Sequence, residues 1–161
     1  MPTEMQAMST PIVDEHQDHS FINDYLLYLL AQASAAASGE FHAYLAQEGM
    51  SVPEWRILAS LYPDKQQRVG ELARNCIQKQ PTLTRIVDRM EEDGLVARVY
   101  SKQNRREVKV SLTAHGKELA AKFVARAQAH ENSVLAEYSE DEVRILKDAL
   151  KVLTRRSANC P

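Results

Sequence analysis

The sequence predicts a mainly α chain with one small β-hairpin, and three observations carry that expectation. Two short apolar-periodic segments, Val69, Leu72 and Ala73 and then Leu83, Ile86, Val87 and Met90, lie close enough to be two helices joined by a tight turn. Two β-prone runs follow, Leu95 to Tyr100 and Glu107 to Leu112, the second alternating in polarity. Long helical patterns occupy both ends of the chain, beginning at Phe21 and at Thr113.

Taken in order, residues 1 to 18 read as a polar tail. From Phe21, the stripe Ile22, Leu26, Leu29 and Leu30, continued by Ala33, Ala37, Phe41, Tyr44 and Leu45, predicts one long helix with Ser20 or Asn23 at its start. Gly39 inside that run costs about 1 kcal/mol relative to alanine and leaves room for a kink near Ser38. Gly49 ends the helix. Ser51 with Pro53 and Glu54 opens another, which carries Trp55, Ile57, Leu58 and Leu61 and is closed by Pro63. The next two helices form a helix-turn-helix, whose second member can lie in a DNA major groove. Pro81 suits the first turn of that second helix because its missing N–H would have no partner there, and Gly94 accepts the left-handed backbone that stops it.

The apolar residues of this helix share one face and leave Gln80, Thr82, Thr84, Arg85 and Arg89 off it. A polar helix face is ordinarily just solvated, yet these side chains suit base reading: glutamine pairs with adenine, arginine with guanine, and a threonine methyl meets thymine. The loop Ser101 to Arg106 joins the two β runs and carries three cations. A hairpin directly after such a helix is a wing, whose tip arginines can enter the minor groove. The fold class is therefore a winged helix-turn-helix flanked by helices from both chain ends. From Gln78 to Thr113 there are eight cations against five carboxylates, a local excess of three in a chain of net charge −2.

Val69-Gly70-Glu71-Leu72-Ala73, the block from Leu83 to Val96, the Asn104-Arg105-Arg106 wing and Val110-Ser111-Leu112-Thr113-Ala114-His115-Gly116 together resemble the MarR family of winged-helix repressors. Ser51 to Leu58 is similar to the family's second helix, so the likeness spans about residues 20 to 156. The family usually carries an aspartate where Asn104 stands. The resemblance implies a homodimer, built from the first and last two helices, that binds a pseudo-palindromic double-stranded DNA operator. On that reading Lys79, Gln80, Pro81, Thr82, Thr84, Arg85, Arg89, Lys102, Asn104, Arg105 and Arg106 serve DNA binding, the last two in the minor groove. It also implies release by a small ligand, often an aromatic acid, with Tyr25, Tyr28, His42, Trp55 and Arg56 as the candidate residues. The alternative for the last two is that Trp55 belongs to the core and Arg56 makes an internal ion pair.

At 161 residues and 44% hydrophobic composition, the chain suits one compact domain over residues 19 to 161. Its winged part is expected at about residues 50 to 113 and its dimerisation helices at about 20 to 48 and 114 to 157, the last opening at Ser139-Glu140-Asp141-Glu142 and carrying Val143, Leu146, Leu150 and Leu153. The first twenty residues lack the pattern of a signal peptide and no apolar run is long enough to cross a bilayer, so a cytoplasmic protein is expected. Cys76 and Cys160 make neither a disulfide framework nor a ligand cluster. Metal sensing through His16 and His19, or oxidation of Cys76, are the alternative regulatory readings. No phosphate loop, nucleophile elbow or metal pair at helical spacing occurs in the body of the chain, so neither an enzyme nor a cofactor is expected. A helical protein-interaction adaptor would account for the long arms but not for the wing arginines.

Overall fold

The computed structural model describes residues 20 to 100 and 108 to 158. Among these described residues, seven helices and three strands follow in the order α1 (Phe21–Asp24), α2 (Leu26–Gln47), α3 (Val52–Leu61), β1 (Gln67–Arg68), α4 (Val69–Asn75), α5 (Gln80–Glu92), β2 (Val96–Tyr100), β3 (Val108–Leu112), α6 (Ala114–Val134) and α7 (Glu140–Ala158). His16, His19, Lys102, Asn104, Arg105, Arg106 and Cys160 lie outside the described residues.

The chain falls into two compact units divided between Ala37 and Ser38. In the first, the single long helix expected from Phe21 is interrupted at Tyr25, whose extended backbone ends α1 and whose carbonyl accepts the N–H of Leu29 in α2. Asn23 and Asp24 just before it favour local non-helical conformations. Ser20 occupies the start of α1 but makes no side-chain cap. Phe21 and Tyr25 stack at 5.3 Å, and Gln32 donates to the Tyr28 hydroxyl at 2.7 Å. At the other expected irregularity, Ser38 and Gly39, α2 stays helical.

The second unit is built around one core. Leu45, Ile57, Leu58, Leu61, Leu72, Leu83, Val87, Met90, Val96, Val110 and Phe123 are all fully buried in it, drawn from every helix from α2 to α6 and from β2 and β3. The sheet order is β1-β3-β2 with antiparallel pairing, Gln67 opposite Val110 and Arg98 also opposite Val110 on the other side. The hairpin was legible as alternation; the two polar residues of β1 carry no such pattern. Gln67 is held in place by donating to the Ser60 carbonyl and accepting from Asn75, both at 2.7 Å.

Three helix ends use the same left-handed stop. At Gly49, Ile77 and Gly94 (φ 72°, 56° and 71°) the N–H of the following residue bonds back to a carbonyl five residues earlier: Met50 to Leu45, Gln78 to Ala73 and Leu95 to Met90. Glycine takes this conformation freely, whereas an L side chain costs about 1–2 kcal/mol there. The α4 end is the one stop among the three that uses a β-branched residue.

Candidate nucleic-acid interface

Helix α5 starts with Lys79 as its N-cap residue and Pro81 inside its first turn. Leu83, Val87 and Met90 are buried, with Ile86 partly so, which leaves Lys79, Gln80, Pro81, Thr82, Arg85 and Arg89 exposed and Thr84 half-exposed. This is the separation of faces that the periodicity predicts. The Thr84 hydroxyl donates to the Gln80 carbonyl at 2.9 Å, and the Gln80 amide oxygen lies 3.5 Å from where a Cβ on Gly70 would sit.

The cations of the segment are not equivalent. Arg98 on β2 is tied to α5 by ion pairs with Asp88, at 2.5 Å, and with Glu91, which fastens the wing strand to the recognition helix. Arg89 is engaged by Glu54 of α3, although its own side chain stays 61% exposed. Among the described residues, Lys79 and Arg85 form no ion pair. A count of charges along the sequence overstates what the free protein offers to a phosphate, because internal carboxylates hold Arg89 and Arg98.

Glu54 is the hub of that arrangement. Its carboxylate accepts from the Ser51 N–H at 2.9 Å and the Ser51 hydroxyl at 2.5 Å, completing the capping box of α3, and it also accepts from Arg89. Burial pushes its pKa up, but the bonds from Ser51 and Arg89 outweigh burial and hold it below the ordinary 4.5. The folded state therefore binds this proton less readily than the unfolded chain does. Its stabilisation is present at neutral pH and is lost as pH falls from 4.5 through the lower folded value. Glu54→Gln is expected to cost about 1–2 kcal/mol in urea unfolding at neutral pH. The deficit should shrink as pH falls from 4.5 through the lowered folded value, where the wild-type carboxyl is itself protonated; a deficit that does not change with pH would remove the charge from this role.

The residues put forward for a ligand separate. Trp55 is half-buried among aromatic rings, edge-on to Phe41 at 5.3 Å and to Phe123 at 6.2 Å, while Phe41 stacks on His130 at 5.9 Å. With Ala59, Val124, Ala127, Gln128 and Glu131 it lines a groove of about 280 Å³ along α3 and α6. Arg56 serves a different neighbour: its guanidinium donates at 3.2 Å to the Cys76 carbonyl, at the end of α4. Successive helical residues point about 100° apart, and here the two side chains meet different neighbours. Among the described residues Arg56 makes no internal ion pair; it caps a helix C-terminus, where a cation is favoured. His42 is half-buried on α2, and Tyr25 and Tyr28 belong to the other unit. The sequence does not reveal Phe41 and Phe123 as neighbours of Trp55, or His130 as a neighbour of Phe41, since a stripe shows which face is apolar but not what meets it.

Cys76 is fully buried and burial pushes its thiol pKa up, which disfavours the thiolate that oxidation chemistry uses. Among the described residues no group of His, Cys, Asp and Glu has the arrangement of a metal site. No described helix is long and apolar enough to cross a membrane.

A helix-turn-helix with an exposed polar recognition face, backed by a β-hairpin that ion pairs tie to it, defines the winged-helix class of DNA-binding proteins. Residues 50–108 match the MarR family model. The chain is 29% identical to the homoprotocatechuate degradative operon repressor of Escherichia coli over 131 residues, 81% of this chain and 88% of that one. Among solved structures it is similar to a MarR family transcriptional regulator from Silicibacter pomeroyi DSS-3, with 39% identity, a TM-score of 0.71, and 81% of this chain and 98% of that one covered. It is also similar to NadR in complex with 4-hydroxyphenylacetate, with 25% identity, a TM-score of 0.74 and coverage of 95% and 97%. The chain belongs to the MarR family, a family of transcriptional regulators.

Proposed function

We propose that this protein is a homodimeric repressor that binds a pseudo-palindromic operator and releases it when a small aromatic acid binds. The observation that carries the DNA part is the N-terminal end of α5, where Lys79, Gln80, Pro81, Thr82 and Arg85 are exposed together and both cations are free of ion pairs among the described residues. That is the end of a recognition helix that reads base edges. In this reading Arg85 reads a base, Gln80, Thr82 and Thr84 read or position on the major groove, and Lys79 and Lys102 meet phosphates. Asn104, Arg105 and Arg106 serve DNA binding in this reading, the last two in the minor groove. Arg89, whose guanidinium has five donors and remains largely exposed, keeps some for a phosphate while bonded to Glu54.

The aromatic acid reading is supported by the homoprotocatechuate repressor and by NadR with 4-hydroxyphenylacetate, together with the groove beside Trp55. We assign the ring to Trp55 and His42, which belong to the same unit. Arg56 would take the carboxylate only by leaving the Cys76 carbonyl.

One binding experiment tests both parts. Arg85→Ala is expected to weaken binding to a selected duplex by about 1–3 kcal/mol, with little change on unrelated DNA. Adding 4-hydroxyphenylacetate to the wild-type complex is expected to release the duplex. Equal affinity of wild type and variant would remove Arg85 from base reading, and a complex indifferent to aromatic carboxylates would remove the effector class.

A further inference from the structure

We propose that Ile77 makes an apolar contact with operator DNA from the turn between α4 and α5, a contact that rests on the DNA-binding reading of this helix-turn-helix. Ile77 holds a left-handed backbone (φ 56°) and its side chain is 76% exposed. At the ends of α2 and α5 the same hydrogen-bonded stop is made by glycine, which carries no strain there. The turn itself therefore does not need a side chain at this position. Nor does the core, because the neighbouring Cys76 fills the buried place while Ile77 stays out of it.

A β-branched side chain kept in an unfavourable conformation and shown to solvent points to a contact outside the chain. DNA fits better than a protein partner. Ile77 stands two residues before Lys79 and three before Gln80, at the start of the exposed recognition set, and its exposed neighbours Arg74, Asn75, Lys79 and Gln80 are polar or charged. A protein interface requires an apolar patch of several side chains. A single isoleucine suffices to cover a thymine methyl group or the carbon face of a deoxyribose.

The test compares full-length wild type with Ile77→Gly and Ile77→Asn, both of which accept the left-handed backbone. Thermal unfolding is expected to be unchanged or raised in both variants. Affinity for a selected duplex is expected to fall about three- to tenfold, with the salt dependence unaltered because no phosphate contact is lost. Replacing thymines one at a time by deoxyuracil, which lacks only the methyl group, separates the two sources. If the methyl is the partner, one position weakens wild type and leaves Ile77→Gly indifferent; if the sugar is, wild type and variant respond alike at every position. Variants that bind as tightly as wild type, or that lose melting temperature and affinity together, or that change the salt slope, overturn the contact. A wild-type protein that binds no duplex overturns instead the reading on which it rests.

Discussion

Replacing Leu146 and Leu150 of α7 together by aspartate is expected to produce a folded monomer that binds the selected duplex about a hundredfold more weakly, or worse. Val143, Leu146, Leu150 and Leu153 recur at the alternating spacing of three and four that puts side chains on one helical stripe. Leu146, Leu150 and Leu153 are all exposed, as are Ile145 and Val152 on the same helix. In the other unit Phe21, Ile22, Leu26, Leu27 and Leu29 are exposed too. An exposed apolar stripe of this kind on α7 ordinarily marks an interface, and a second copy of the chain is the cover we assign to it. A twofold axis would then present two recognition helices about 34–36 Å apart, one turn of DNA, so that each half-site raises the effective concentration of the other. Because the two leucines are exposed in the single chain, aspartate there should leave helicity and the core of the second unit intact. Sedimentation and duplex titration on the same sample read the result, and a variant that remains dimeric would take the interface away from α7.

Gly116→Ala is expected to be the most damaging single methyl group added to the chain, lowering stability by about 3 kcal/mol. An added Cβ would lie 1.9 Å from the Leu95 carbonyl oxygen and 2.9 Å from its carbon, both backbone atoms that cannot rotate away. The approach is close because the start of α6 is bolted to the end of α5. The Thr113 hydroxyl donates to the Gly94 carbonyl at 2.6 Å and accepts from the Gly116 N–H at 3.0 Å, while the Thr113 N–H donates to the Leu95 carbonyl at 3.1 Å. Any shift that admits the methyl must strain this joint, and with it the link from the recognition helix to the long helix α6. Gly39→Ala serves as the control, since a Cβ there meets nothing within 4 Å and the position is helical. It should be neutral or stabilising by up to about 1 kcal/mol. Urea unfolding of the two variants beside wild type checks the contrast; a Gly116→Ala protein as stable as wild type would mean the joint yields more easily than its hydrogen bonds imply.

Local signals in the sequence anticipated what local chemistry decides. Pro81 and Gly94 bounded α5, the capping boxes at Ser51 and Ser139 formed as their spacing required, and alternation from Val108 placed β3. Features that depend on meeting a distant residue were not legible. Glu54 lies 35 residues from the arginine it holds, and nothing around Arg89 distinguishes a free cation from a paired one. Arg98 looked like part of the basic surface and is instead the link from β2 to Asp88 and Glu91. The strand β1 is too short to show a period, and its existence follows from β3 offering an edge beside it. Trp55 and Arg56 are adjacent in sequence, yet the helix turns one toward Phe41 and Phe123 and the other toward Cys76.

The most direct test of the whole account is a titration of wild-type protein, across a range of salt concentrations, against a duplex selected by that protein from random sequence. The account predicts one dimer per pseudo-palindromic site and an affinity that falls steeply as salt rises, because bound cations displace counterions from the phosphates. Failure to bind any duplex at low ionic strength, or an affinity that does not respond to salt, would contradict it.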